Sequence, residues 1–186
     1  MDLRRFLGLP PTTPGTRSRS AGTGAGDTDA AAVRRIVDRL ESMQPGEARK
    51  IATFAYVLAR AAAAEFGISD VETRRMESLL VEQGLSEPQA ILVTEIAKST
   101  ARLIGGTEDY IVTREYRELS TPEERLALVR ACYLVSAADD TITAGESSVL
   151  DEIARELDIE SPQVTAIRSE FADRFSALQA MRRANH

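Results

Sequence analysis

Apolar positions recur at helical spacing along this 186-residue chain, segment after segment, with short polar breaks between them. Val33, Ile36, Val37 and Leu40 share one face of a first predicted helix, from Thr28 to Ser42. Gln44-Pro45-Gly46 interrupts it, and a second helix carries Ile51, Phe54, Leu58, Ala61 and Ala62. Met76, Leu79 and Leu80 mark a third, from Ser69 to Gln83, which Gly84 closes where a left-handed C-cap is favoured. Ile91, Leu92 and Ile96 mark a fourth, ending near Gly105-Gly106. A connector from Glu108 to Leu119 leads to Thr121-Pro122-Glu123-Glu124, a capping box with proline at the first helical position. Helices are then predicted to Ala138, from Thr143 to Leu157, and from Pro162 along Val164, Ile167, Phe171, Phe175, Leu178 and Met181. Beyond Phe175 this last stripe has two readings: it packs back on the first helix, or it projects as a surface for a partner.

The pattern repeats itself. Residues 63–90, moved along by 74 positions, fall without a gap on residues 137–164. Ala63, Ala64, Ile68, Glu72, Glu82, Pro88 and Gln89 meet Ala137, Ala138, Ile142, Glu146, Glu156, Pro162 and Gln163. Between them Glu65 meets Asp139, Ser69 meets Thr143, Met76 meets Leu150 and Leu79 meets Ile153. A repeat of this kind is one supersecondary unit that buries its apolar face against its copy. The expectation is an all-α fold of about eight helices: two pseudo-repeated three-helix units, at about 45–104 and 121–182, in one domain over 27–183.

Composition narrows the chemistry. Residues 10–26, PPTTPGTRSRSAGTGAG, have nothing to bury, so residues 1–26 are expected to be a flexible tail. Leu3, Phe6, Leu7 and Leu9 around Arg4 and Arg5 form a short amphipathic stretch, and membrane contact is expected only there, through residues 1–9. The net charge of -6 divides into +3 over residues 1–26 and -9 over the rest, which argues against nucleic acid. Cys132 is the one cysteine and His186 the one histidine, which removes triads, Cys/His dyads and histidine zinc sites and suits a reducing cytoplasm. The most apolar stretch, Ile51 to Ala64, is too short to span a bilayer and contains Arg60.

Candidate chemistry lies in the corner that both copies keep. Copy one reads Glu65-Phe66-Gly67-Ile68-Ser69-Asp70-Val71-Glu72, and copy two reads Asp139-Asp140-Thr141-Ile142-Thr143-Ala144-Gly145-Glu146. Ser69-x-x-Glu72 and Thr143-x-x-Glu146 are capping boxes, a structural reason for those four residues, worth about 1 kcal/mol per cap. The preceding acids are different. Asp139 follows Leu128, Cys132 and Val135 along an apolar stripe, and Glu65 follows Phe54, Leu58 and Ala61, so each stands where a core residue is due. An acid at a core's edge needs N–H donors, a cation or a raised pKa, and donors and metal remain open alternatives. An EF-hand does not fit, because counting back from Glu146 puts Val135, Ala137 and Asp140 where two ligands and the glycine belong.

The run Ala137-Ala138-Asp139-Asp140-x-Ile142-x-x-x-Glu146, followed by Leu150, Ile153, Ala154, Leu157 and Ile159, resembles the TerB-like family. That family includes tellurite-resistance protein B and the amino-terminal domain of DjlA-type co-chaperones. The resemblance covers roughly residues 45–180 and implies an all-helical, two-unit cytoplasmic module linked to stress resistance. It further implies a divalent metal ion held by Asp139 and Glu146 in copy two and by Glu65 and Glu72 in copy one, with Asp140 and Asp70 as nearby acids. Asp140 replaces the family's glycine, and Glu65-Phe66-Gly67 stands where Asp-Gly is expected. No His-Pro-Asp tripeptide is present, which excludes J-domain activity.

The expected function is a non-enzymatic binding module with a divalent cation at its acidic corners and a protein partner on its helical surface. The alternative is an adaptor in which the same acids only cap helices. An enzyme is the third reading, on the carboxylate pair Glu170-x-x-Asp173, which has no phosphate cradle beside it.

Overall fold

A helix buried around its whole girth organises the molecule. Ile51 through Ala59 are buried without exception. They lie in α1, Pro45–Ala62. A helix with no solvated face over more than two turns must be enclosed from all sides. The computed structural model describes residues 44–64, 67–83, 85–103 and 107–184. The expected tail and the helix predicted over 28–42 lie outside them. Compactness divides the chain into Met1–Arg49 and Lys50–His186. Of the first unit only residues 44–49 are described, and there Glu47 N and Ala48 N donate to the Gln44 carbonyl at 2.9 and 3.0 Å.

In the second unit α2 (Asp70–Glu82) and α3 (Glu87–Leu103) complete the first copy, and α4 (Thr107–Leu119) connects. The second copy follows as α5 (Pro122–Ser136), α6 (Ala144–Glu156) and α7 (Ser161–Glu170), with α8 (Ser176–Ala184) after it. The described residues thus form eight α-helices and are all-α, as the periodicity predicts. α5 is the repeat's counterpart of α1, with Leu128, Val129, Cys132, Tyr133, Val135 and Ser136 all fully buried. The capping box at Thr121 is formed as expected and starts it.

The duplication extends to single hydrogen bonds. Ala63 N donates to Ala59 O at 2.9 Å, and Ala137 N to Tyr133 O at 2.9 Å. Thr73 N donates to Ser69 O and Ser147 N to Thr143 O, at 2.9 and 3.0 Å. At the far ends Leu85 N reaches Leu80 O at 3.2 Å and Ile159 N reaches Ala154 O at 3.0 Å, the six-to-one closure of a Schellman turn in both copies. Asp158 adopts φ 59° in the second closure, at the position equivalent to Gly84, which is outside the described residues.

The copies then interlock. α2 of the first packs on α5 of the second, and α6 packs on α4 and α5. From α1, Arg60 reaches α6: its guanidinium donates to both oxygens of Glu156 at 2.5 and 3.1 Å and to Glu152 at 3.3 Å. Arg60 also bonds Thr113 Oγ1 at 3.0 Å, and Asp109 lies 3.9 Å away. Burial opposes the charge on Arg60, but Glu156, Asp109 and Glu152 more than offset it and hold its pKa above the ordinary value. Tyr56 donates to Asp109 at 2.5 Å, and Lys50 pairs with Glu124 at the start of α5.

The chain's end departs from expectation. The continuous helix predicted from Pro162 to Met181 is broken: α7 stops at Glu170, a 3-10 turn covers Ala172–Arg174, and α8 begins at Ser176. Backbone pairing with copy two's corner is the cause. Ile142 N donates to Arg174 O at 2.7 Å and Ser176 N to Ile142 O at 3.0 Å, a parallel bridge between Ile142 and Phe175. Groups committed to Ile142 are withdrawn from the helical ladder. The break also lets Phe171 stack on Tyr133 at 5.4 Å while Phe175 meets the same ring edge-on at 6.5 Å.

Arg60→Ala removes the cation from three carboxylates, of which Glu156 is 15 % exposed. A loss of about 3 kcal/mol in urea-unfolding free energy is expected. Glu156→Gln in that background should cost much less than it does alone.

Candidate functional site

Each corner is built by its caps. In copy one Ser69 is the N-cap of α2: its hydroxyl accepts from Glu72 N at 3.2 Å, and Glu72 Oε2 accepts from Ser69 N at 2.7 Å. In copy two Thr143 caps α6 in the same way, with Glu146 N to Thr143 Oγ1 at 3.2 Å and Thr143 N to Glu146 Oε2 at 2.8 Å. The Thr143 hydroxyl also donates to that Oε2 at 3.0 Å. Both predicted capping boxes are formed, and both glutamates are buried, at 6 % and 8 % exposure.

The acid ahead of the cap in copy two is placed differently from expectation. Asp139 is exposed rather than at the core's edge, because α5 has already ended at Ser136 and the helical stripe no longer governs the residue. Its Oδ1 accepts from Thr141 N at 3.1 Å, folding the turn. Asp140 is exposed too, adopts φ 71° and pairs with Arg174. It thus takes the left-handed conformation for which glycine is the default residue, and in copy one that conformation falls one place later, on Gly67 at φ 98°. Glu65, copy one's candidate, lies outside the described residues.

The corners of the two copies share one electrostatic field. Burial pushes the Glu72 carboxyl up, the Ser69 hydrogen bonds pull it back, and Asp139 raises it again. Burial likewise raises Glu146, the Thr143 bonds oppose, and both Glu72 and Asp139 add to the rise. Three candidate acids from two copies therefore repel one another. They do not form a ligand set: among the described residues no three Asp, Glu, Cys or His side chains are placed to hold a metal ion together. One oxygen each of Glu72, Glu146 and Asp139 accepts a local N–H instead.

The family described as Tellurite resistance protein TerB matches residues 50–169. The chain belongs to the TerB family. The match begins within α1 and ends within α7, so it takes in both corners. No curated protein and no solved structure matches the chain.

Two features of this TerB-family chain escaped the sequence reading. The Arg60 cluster had a signal, a lone arginine inside an apolar run, which asks for a carboxylate partner. The bridge between Ile142 and Phe175 had none, since Phe175 continues a helical stripe. The carboxylate pair Glu170 and Asp173 is also not on one helix face: Glu170 ends α7, Asp173 is in the 3-10 turn, and Arg130 grips Glu170 with two bonds of 2.8 and 3.0 Å.

Ser69→Ala and Thr143→Ala should each lower stability by about 1 kcal/mol, measured by chemical denaturation. A glutamate whose folded pKa is raised above its usual 4.5 binds its proton more tightly when folded. The stability due to Glu72 and Glu146 is therefore complete below pH 4.5 and is lost as pH rises through the raised value. Glutamine keeps the cap acceptor and never ionises. Glu72→Gln with Glu146→Gln should raise the melting temperature at pH 7 and leave it nearly unchanged at pH 4, flattening the pH profile between them.

Proposed function

We propose that this TerB-family chain is a non-enzymatic adaptor of the tellurite-resistance class, acting through a protein partner on its helical surface. The observation that carries this reading is that the corner acids already have partners within the chain: Glu72 with Ser69, Glu146 with Thr143 and Asp139 with Thr141 inside their own corners, and Asp140 with Arg174 of the 3-10 turn. Apolar side chains on the outside support it, among them Ile91, Ile111, Tyr110 and Met181, each 45 % exposed or more. The non-enzymatic part is supported by the state of the one thiol. Cys132 is fully buried, and burial pushes its pKa up to about 12, so it supplies no thiolate at neutral pH. Among the described residues no helix is long and apolar enough to cross a membrane.

A second reading keeps a divalent cation at the acidic corners, although Glu72, Asp139 and Glu146 are not placed to hold one together here. The raised carboxyls favour it: burial and Asp139 push both Glu72 and Glu146 up, Glu72 adds to the rise at Glu146, and a nearby cation would lower both.

Thermal unfolding in calcium, magnesium, manganese and zinc separates the readings. A cation at 100 times its dissociation constant adds about 2.7 kcal/mol. The adaptor reading expects no shift, or one that persists in Asp139→Asn with Glu146→Gln. A shift abolished by that double variant would establish the cation instead. For the surface itself, a photocrosslinker placed at Ile111 and at Met181 in cells should give a discrete adduct with one protein; a smear identical to that from the solvated Glu87 position would remove the adaptor reading.

A further inference from the structure

The joint between α7 and α8 is bent without a local reason. Residues 163–184 hold neither glycine nor proline, and beyond Phe171 good helix formers, Ala, Arg, Leu, Gln and Met, dominate. Ile167, Phe171, Phe175 and Leu178 keep helical spacing straight through the break. Helix breaks ordinarily sit at proline, at glycine or where another group inserts into the ladder. Only the last applies to this one, and the inserting group is the backbone of Ile142.

The contacts that hold the bend fall within residues 174–179. Besides the two backbone bonds to Ile142, Arg174 pairs with Asp140, and Gln179 Nε2 donates to the carbonyls of Asp140 and Asp173 at 3.0 and 3.1 Å. Phe175 is the apolar anchor, 7 % exposed, with the Arg168 guanidinium 4.6 Å from its ring centre. α8 itself lies polar side inward: Ser176 and Gln179 are half-buried, whereas Leu178 and Met181 are 40 % and 63 % exposed. An amphipathic helix ordinarily buries the opposite face. Apolar burial therefore does not fasten α8, and local opening concentrates in segments fastened so lightly.

We propose that residues 171–179 are a two-state joint that latches and unlatches the corner of copy two. In the bent state the joint is clamped on Ile142 and Asp140. In the straight state that clamp is released, the helical ladder closes through residues 171–175, and α7 and α8 run as one helix. Backbone hydrogen bonds are exchanged rather than lost, because the groups that leave Ile142 find partners within the ladder and Ile142 passes to water. The bent state also carries two costs that release sheds. Asp140 is kept at φ 71° while its carbonyl and its carboxylate are both engaged by the joint. The hydroxyl of Tyr133, whose ring Phe175 meets edge-on, is buried with no hydrogen-bond partner among the described residues, and water admitted at that ring would satisfy it. Release bares Ile142 and the edge of Tyr133, so access to the second corner is regulated from within the chain. The inference concerns the chain alone and does not rest on the adaptor reading.

The test is a distance measurement by pulsed electron resonance on the full chain, with spin labels on Thr165→Cys and Ala180→Cys, both exposed positions. Cys132 is fully buried and takes no label. In one straight helix the two backbones stand about 22 Å apart, and a bent joint brings them closer. The native joint should give mainly the shorter distance. Gln179→Ala with Asp140→Asn removes the side-chain clamp without touching the core, and asparagine tolerates the left-handed conformation. This double variant should raise the long-distance population roughly five-fold or more, with helicity by circular dichroism unchanged or higher. Phe175→Ala should raise it further. Amide exchange gives a second readout: Ile142 and Ser176 should open together and faster in the double variant, with Val135 unchanged. A single short distance in every variant would overturn the proposal, because the joint then does not move. A broad distribution with loss of helicity would overturn it too, because the segment then frays instead of straightening.

Discussion

The need to enclose α1 governs the structure. From Ile51 to Ala59 the helix has no polar side to turn outward, so no single sheet or helix pair is enough to cover it. The duplicated unit answers that need: α2 of the first copy packs on α5 of the second, and α1 reaches α6 through Arg60. Arg60 lies at the edge of this buried run, where the solvent-excluded stretch meets the carboxylates of α4 and α6. Its position sets the register of α1 against α6 more narrowly than apolar contact does, because ion pairs of this kind tolerate little displacement.

Much of this was legible in the chain. Helical periodicity, Thr121-Pro122-Glu123-Glu124 and the repeat itself announce elements whose causes are local, and local causes are what a sequence displays. The two corner capping boxes are of that kind, three residues from end to end. Asp139 was misplaced for an instructive reason. The apolar stripe stops with the helix at Ser136, and side-chain phase has no meaning once the backbone leaves the helix. The break at Phe171–Phe175 was hidden because its cause is not local: the bond that competes with the helical ladder comes from Ile142, in another turn of the molecule.

The corners hold two roles in tension. Ser69 and Thr143 keep Glu72 and Glu146 in place by giving each a hydrogen-bonded job, while burial and the neighbouring acids make their ionised forms costly. The acceptor that closes each helix start is an ionisable one, set in an interior that resists its charge. In this chain the caps hold and the strain stays electrostatic.

The pairing of Ile142 with Phe175 has a consequence for how the molecule came to be duplicated. It makes copy two depend on residues that follow its three helices, whereas copy one passes from α3 into the connector α4. The two halves are thus no longer interchangeable modules. The second has given up autonomy, and an evolutionary excision that kept its three helices but dropped the last turn would leave Ile142 without its backbone partner and Tyr133 without the ring that meets it edge-on.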